Sequence, residues 1–288
     1  MRKANRITYT SETESIDWSL FLPWKIFRNL IAYRDLIVTV TMRDFRAVYQ
    51  GSYFGLAWQM LLPLIMLGIF YFIFGRVMGG RFSTGITETP LDYALALFVG
   101  LGFFNFMSQC ISQSASLISS NISYVKTMAF PIEILPVTAV LNLLLNLIIV
   151  LAISMFVVCI RPGGIHLSSI CVIYYVVCAG VMAIGISWIL SVVGAYVRDL
   201  TVVTQPLMLI LMLLCPIFYP ASMVPAKLRW VIELNPLAVI MENARGALLY
   251  GVWPSLHADA SILFISGTLF SIGYVFFMQT KPYFSDVI

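Results

Sequence analysis

Six apolar stretches, separated by more polar segments, form the main pattern of this 288-residue chain. Each approaches or exceeds the roughly 20 residues that a helix needs to cross the hydrocarbon of a bilayer. Hydropathy places the spans at residues 55–77, 93–117, 135–160, 167–195, 201–219 and 259–280. The pattern therefore predicts an all-α integral membrane protein with six transmembrane helices, in a transmembrane domain that covers residues 55–280.

A different pattern precedes the first span. Between Trp24 and Val48, helical spacing separates a polar face from an apolar one. The polar face carries Lys25, Arg28, Asn29, Asp35, Thr39, Arg43 and Arg46, and the apolar face carries Trp24, Phe27, Leu30, Ile31, Ile37 and Val38. We predict an N-terminal amphipathic helix in the membrane interface over residues 24–54, after a polar tail at residues 1–23. Gly51 and Gly55 supply a permissive backbone for the turn into the first span. A plain basic anchor without further role is the alternative.

Charge gives the orientation. Only 10% of the residues are charged and 60% are hydrophobic, whereas soluble domains carry about 25% charged residues. The basic residues concentrate before the first span, which places that side in the cytoplasm under the positive-inside rule. With six spans both termini are cytoplasmic, and residues 281–288 form a cytoplasmic tail. The net charge of +4 comes without a separate basic stripe, which argues against a nucleic-acid partner.

Chemical sites are scarce in this sequence. The five cysteines lie in or beside apolar stretches without metal-ligand spacing, and His166 and His257 stand alone in predicted outer loops. No G-x-x-x-x-G-K-[ST] phosphate loop occurs in the chain. We therefore expect no catalytic site, no metal and no cofactor in this chain, and an energy source in a partner.

Polar residues inside the predicted spans are neutral. The six apolar cores lack Asp, Glu, Lys and Arg, which argues against transport driven by an ion gradient. The polar side chains that do occur are Gln59, Asn105, Gln109, Ser112, Gln113, Asn142, Asn146, Thr204 and Gln205. They either join helices to one another or face a path for a hydroxyl-rich substrate, and both interpretations stay open.

The segment "SSNISYVKTMAFPIEILP" connects the second and third spans on the predicted cytoplasmic side. Asn121 is a suitable N-cap for a short helix over residues 122–130, which Pro131 ends. Its side chains Tyr124, Met128 and Phe130 are poorly solvated if exposed. The segment therefore indicates a contact with another protein, and a helical turn resting on the bilayer is the alternative.

The outer segment between the fifth and sixth spans predicts a pair of helices. Asn235 caps a helix of about fifteen residues, with Pro236 at its first position and Gly251 at its end. A shorter helix over residues 225–234 precedes it. Both are too short to cross a bilayer, so we predict a re-entrant or interfacial pair. Glu242 and Arg245 can pair on one face, either as a structural pair or as a substrate contact.

Five stretches of the chain carry a family resemblance. They are "RDFRAVYQGSYFGLAWQMLLPLIMLGIFYFIFG", "NISYVKTMAFPIEILP", "YVRDL", "LNPLAVIMENARGALLYG" and the ending "YFSDVI". In order and spacing they resemble the permease subunit of type-2 ABC exporters of polysaccharides, which include exporters of O-antigen, capsule and teichoic acid chains. The likeness covers nearly the whole chain after Trp24.

The resemblance implies a homodimer in the lipid of the bacterial inner membrane, with separate ATPase subunits that bind ATP and Mg on the cytoplasmic face. It implies export of a lipid-linked polysaccharide, most simply O-antigen, with capsular polysaccharide or teichoic acid as alternatives. The segment 121–130 would be the coupling helix, and the N-terminal amphipathic helix a second ATPase contact. The expected ATPase-coupling residues are Tyr124, Lys126, Met128, Phe130, Glu133, Arg43 and Arg46.

A glycan offers hydroxyls and apolar C–H faces, so its path should combine aromatic rings with neutral amides. On the first and fifth spans we select Tyr71, Phe218 and Tyr219 as aromatic lining and Gln59 and Gln205 as polar lining. Two other functions compete with this one. A membrane-embedded glycan-modifying enzyme would need paired acids near an interface, and an ungated pore would need no cytoplasmic partner.

Overall fold

The computed structural model describes residues 23–47, 50–79, 89–125, 130–161 and 164–284. Within these ranges the chain is helical and contains no strand. The α-helices are α1 Pro23–Ala32, α2 Arg34–Ala47, α3 Trp58–Phe70, α4 Pro90–Ser114, α5 Leu117–Ser120, α6 Ile122–Val125, α7 Ile134–Ile160, α8 Cys171–Tyr196, α9 Leu200–Leu214, α10 Arg229–Glu233, α11 Pro236–Leu249 and α12 Leu256–Thr280. A π-helical segment, Tyr71–Val77, continues α3, and 3₁₀ turns lie at Gly55–Ala57, Leu167–Ile170, Ala221–Met223 and Lys281–Tyr283.

Five helical segments in the described ranges are long and apolar enough to cross a membrane. They are Trp58–Val77, Pro90–Ser114, Ile134–Ile160, Leu167–Tyr196 and Leu256–Tyr283. The all-α membrane fold is thereby confirmed. The fifth predicted span corresponds to α9, which has 15 residues with Pro206 inside it. Its length of about 22 Å is below the roughly 30 Å of bilayer hydrocarbon, so the count of six spans stays a prediction.

The centre of the bundle is α4. In its most apolar window 72% of the residues are buried inside the chain, compared with 11% for the span that contains α3. It packs against α7, α8 and α11. The most extensive helix pair is α8 with α12, where Gly185 and Gly273 lie so close to the opposite backbone that neither position has room for a Cβ atom. These contacts make α4, α7, α8, α11 and α12 the core of the molecule, with α3 and α9 at its edge.

The predicted N-terminal amphipathic helix is two helices rather than one. A turn at Tyr33 separates α1 from α2. Ile26 and Ile37 are buried in a cluster with residues of α7, α8 and α12. Part of the predicted apolar face is nevertheless exposed, with Ile31 at 61% and Val38 at 59%. One part of the apolar face therefore packs against the bundle, and the other part is exposed.

Other N-terminal expectations have mixed outcomes. Residues 1–22 of the predicted polar tail, and residues 48–49, lie outside the described part of the chain. Gly51 and Gly55 have φ values of +85° and +52°, so glycine serves the turn before α3 as predicted.

The short segment after α4 differs from its prediction. Two four-residue helices, α5 and α6, lie in its described part, and α7 begins at Ile134, one residue before the predicted start of the third span. Asn121 is the C-cap of α5 rather than the N-cap of the next helix, because its side-chain amide donates to the Leu117 carbonyl at 2.9 Å. Residues 126–129 lie outside the described part of the chain.

The longer helix of the outer pair forms as predicted. The Asn235 side chain accepts hydrogen bonds from the amides of Leu237 and Ala238, and Pro236 takes the first helical position. Gly251, with φ of +67°, follows the end of α11. The preceding helix is shorter than predicted, since turns occupy residues 226–228 and only α10 is helical.

Candidate functional site

Arg245 holds α11 onto the rest of the outer half of the bundle. Its guanidinium donates to the carbonyl oxygens of Ala96 and Pro216, each at 2.7 Å, and of Ile217 at 3.2 Å. The side chain is only 1% exposed. Gly100 on α4 makes the space, because a Cβ atom there would collide with the guanidinium. One buried cation therefore joins α11, α4 and the segment that follows α9.

Glu242 lies one turn before Arg245 on α11. It accepts a hydrogen bond from the Ala221 amide at 3.2 Å. Burial raises the pKa of Glu242, and burial lowers the pKa of Arg245 to about 10, against the opposing effect of the Glu242 charge. Arg245 therefore stays protonated at neutral pH. Both side chains bond to the backbone of other segments, which favours the structural role over a substrate contact.

An ion pair that was not selected from the sequence holds the C-terminal end of α11. Arg161, at the end of α7, pairs with Asp92 on α4 and donates to the Leu249 carbonyl. Asp92 also forms a capping box with Thr89 at the start of α4. The sequence could have indicated this ion pair, because Asp92 and Arg161 lie at the predicted outer ends of two consecutive antiparallel spans.

The aromatic residues selected for the path lie near the outer ends of α3 and α9. Phe218 packs on Phe74, with ring centroids 6.1 Å apart, and Phe74 also contacts Phe70 and Tyr93. The Tyr93 hydroxyl donates to the Phe218 carbonyl at 3.0 Å. The structure thus builds an aromatic cluster around Phe74 and Phe218, although Phe74 and Tyr93 were not selected from the sequence.

Tyr71 and Tyr219 bond within their own segments. The Tyr71 hydroxyl accepts a hydrogen bond from Arg76 at 3.0 Å, and the Arg76 guanidinium lies 5.6 Å from the ring centroid. The Tyr219 hydroxyl donates to the Leu213 carbonyl at 3.1 Å. Each ring is held in a fixed position at the edge of the bundle.

The two selected glutamines have different surroundings. Gln59 is 8% exposed, and its amide donates to the Asn146 side chain at 3.4 Å, which joins α3 to α7. Gln205 is exposed on α9. The structure therefore gives Gln59 a helix-joining contact, whereas Gln205 is open to the surroundings.

At the end of the bundle that is predicted to be cytoplasmic, the structure brings together three selected residues from two segments. Arg43 on α2 donates to the Tyr124 hydroxyl at 2.8 Å, and the Tyr124 ring lies 4.6 Å from that of Phe130. The hydrogen bond with Tyr124, followed by the one with Asp44, raises the pKa of Arg43. Arg46 is exposed nearby in sequence, and Lys126 and Met128 lie outside the described residues. We call Arg43, Tyr124 and Phe130 the inner aromatic cluster.

Glu133, which the resemblance implies as an ATPase-coupling residue, is buried. Its side chain is 5% exposed, and its carboxylate pairs with the Lys281 ammonium at 2.6 Å. The Trp188 indole donates to the Glu133 carbonyl at 3.0 Å. The start of α7 is thereby joined to α8 and to the end of α12, a contact that depends on tertiary packing.

Comparison with known proteins gives the family. Residues 35–249 match the model described as "ABC-2 type transporter". The chain belongs to this family. The resemblance seen in the sequence is thereby confirmed, and this ABC-2 transporter is a membrane-spanning transport subunit.

Named relatives cover most of the transporter. It is 30% identical over 270 residues to an O-antigen export system permease protein RfbA of Klebsiella pneumoniae, across 92% of this chain and 99% of the relative. A second RfbA of Klebsiella pneumoniae is 28% identical over 274 residues, with the same coverage. The RfbA of Myxococcus xanthus is 24% identical over 222 residues, across 76% of this chain and 82% of the relative.

Replacing Arg245 by Met should destabilise the transporter by about 3 kcal/mol or more, because the change leaves three carbonyl groups without their donor. Thermal unfolding of the purified protein in detergent measures the effect. Arg229→Met is the matched control, since Arg229 is exposed on α10. Equal unfolding midpoints for the two variants would show that the guanidinium does not anchor α11.

Replacing Lys281 by Met should lower the stability by about 1–2 kcal/mol, because it leaves the buried Glu133 carboxylate without its partner. The double variant Lys281→Met with Glu133→Gln should recover part of the loss, since no unpaired charge remains. Unfolding midpoints in detergent of the double variant and of each single variant, Lys281→Met and Glu133→Gln, test this, with exposed Lys227→Met as control. A double variant as unstable as the sum of the two single variants would contradict the pairing.

Proposed function

We propose that this chain is the permease subunit of an ATP-driven exporter that moves a lipid-linked polysaccharide out of the cytoplasm, with O-antigen as the favoured class. The observation that carries the proposal is the end-to-end match with permeases named for O-antigen export, which spans 99% of two of them. Capsular polysaccharide or teichoic acid is the alternative cargo. Family membership favours a transport subunit over a membrane-embedded enzyme.

The partner that hydrolyses ATP is a separate subunit. Membership in the ABC-2 family implies an ABC ATPase partner, which would bind the ATP and Mg. The inner aromatic cluster supports a docking surface, because it joins α2 to the segment before α7 and leaves Tyr124 and Phe130 half-buried. Arg46 on α2 extends this surface, as would Lys126 and Met128. Glu133 is buried, so it contributes to this surface indirectly, through its pairing with Lys281.

The orientation rests on the clustering of both ends of the chain. Ile26 of α1 and Phe284 after α12 belong to one buried cluster, so the described N- and C-terminal segments lie at the same end of the bundle. The positive-inside rule makes that end cytoplasmic. Multi-pass spans and family membership support a place in the bacterial inner membrane.

A glycan path fits between two copies of the chain better than through one. Leu95, Phe103 and Tyr175 are fully buried inside the bundle, and such packing leaves no room for a polymer. The helices α3 and α9 lie at the edge, and α9 exposes Val202 and Leu213 at 72% and 63%. We therefore propose a homodimer with the path between the subunits.

In this arrangement α3 and α9 contribute the walls. Tyr71, Phe218 and Tyr219 provide aromatic surfaces near the outer end, with Phe74 supporting Phe218. Gln205 offers an exposed amide, whereas Gln59 acts through its contact with Asn146. The outer helix α11, capped by Asn235 and Pro236 and anchored by Arg245, holds the segment that carries Phe218.

Co-purification tests the proposal. The chain, co-expressed with its ABC ATPase, should retain that subunit, and ATP hydrolysis should require it. Tyr124→Ala with Phe130→Ala should lower the retained ATPase by about tenfold, because interface aromatics often contribute more than 1 kcal/mol each. Trp253→Ala, an exposed aromatic on the predicted outer side, is the control and should change nothing.

Two results count against the proposal in different ways. A wild-type chain that retains no ATPase under conditions that preserve its fold would contradict ATP-driven export. A double variant that retains the wild-type amount would leave that function standing and remove the inner aromatic cluster from the docking surface.

A further inference from the structure

A row of amide side chains runs along one face of α4. Asn105, Gln109 and Gln113 are spaced four residues apart, which places them on one face at intervals of about 6 Å along the helix axis. All three are exposed. We call these residues the amide stripe.

The amide stripe is unexpected on this helix. The other side of α4 is buried through Phe106, Met107 and Cys110. The row occupies the inner half of the most buried span, where an exposed surface is rare. An exposed side of such a helix therefore faces something other than the remainder of its own chain.

The neighbouring helices leave this side of α4 open. The outer half of α4 is covered by α3, with which it shares a cavity of about 390 Å³ that reaches Asn105. The inner end of α3 turns away to α7, where Gln59 contacts Asn146. On the other side, Met208 and Leu211 of α9 border a cavity with Ser108 and Ile111. Gln109 and Gln113 line neither of these two cavities and are exposed on the inner half of α4.

The surroundings of the amide stripe lack hydrogen-bonding partners. Among the residues that the structure describes, none bonds to the side-chain amides of Asn105, Gln109 or Gln113. Lipid tails supply neither donors nor acceptors, and an amide left unpaired in an apolar medium costs several kcal/mol. The chain pairs Gln59 with Asn146 inside the bundle, so three amides in a row without a partner among the described residues need partners from outside that part of the chain.

We propose that the amide stripe is a binding surface for the hydroxyl groups of the glycan as it passes between the subunits, an inference that rests on the proposed function. Amides both donate to and accept from hydroxyls without requiring charge. The exposed apolar side chains of α3 and α9 suit contact with a second copy, whereas the exposed amides suit the cargo.

Leucine and threonine replacements test the assignment. The triple variant Asn105→Leu, Gln109→Leu, Gln113→Leu favours membrane insertion, so it should assemble normally with its ATPase. It should nevertheless lower surface polysaccharide by about tenfold, because three hydrogen bonds to the cargo are lost. The corresponding threonine triple keeps hydroxyl donors and acceptors and should retain most of the export.

The matched control uses polar residues on another exposed surface. Ser261 and Thr268 are exposed on α12 and bond to their own helix backbone, so Ser261→Leu with Thr268→Leu should leave export unchanged. Normal export by the leucine triple would overturn the assignment. So would dissociation of the dimer in that variant, since the amides would then join the two copies.

Water access gives a second measurement. In a background with the exposed Cys159 replaced by Ala, Gln109→Cys in the assembled complex should react with a charged, membrane-impermeant thiol reagent. Ile173→Cys, at an apolar position that is 65% exposed on α8, should not. An unreactive Cys at position 109 would overturn the assignment, whereas a wild-type chain without export would overturn the proposed function instead.

Discussion

The buried Arg245 guanidinium is the contact on which the outer half of the molecule depends. A cation enclosed in this way is tolerated only when hydrogen bonds replace its water, and here three carbonyls do so. Two of those carbonyls, of Pro216 and Ile217, follow α9, and the third belongs to α4. The position of α11 and the exit of α9 are therefore fixed by one side chain, for which Gly100 provides the space.

Charges hold both ends of the bundle, while its middle relies on apolar packing. At the outer end Arg161 and Asp92 join α7 to α4, and at the inner end Lys281 and Glu133 join α12 to the start of α7. The close crossing of Gly185 and Gly273 adds α8 to the same unit. Among the described helices of 13 residues or more, α3 and α9 have the fewest buried residues, so they can shift at least cost. They are also the helices that border the proposed path, so the helices that can move are the ones that contact the cargo.

Local rules predicted much of this structure from the sequence. Apolar length located α7 and the segment Leu167–Tyr196, which contains α8, to within one residue, and cap chemistry located Asn235, Pro236 and Gly251. The break at Tyr33 was missed because no Pro or Gly marks it. The burial of Glu133 could not be predicted from the sequence, because its environment depends on Lys281, 148 positions away. Hydropathy reports that a helix is apolar, and it does not report which side meets which neighbour.

Because hydropathy does not identify packing neighbours, the sequence predicted only part of the candidate site. The aromatic residues were selected from their place near span ends, yet the cluster around Phe74 and Phe218 needed the packing of α3 on α4. The amides of α4 were visible as neutral residues in an apolar span, and only their exposure separates them from Gln59. The most direct test of ATP-driven glycan export is translocation in proteoliposomes that contain this chain and its ATPase. Lipid-linked polysaccharide supplied on the ATPase side should become protected from an added glycosidase only when ATP is hydrolysed, whereas protection that is absent, or equal without ATP, would contradict the account.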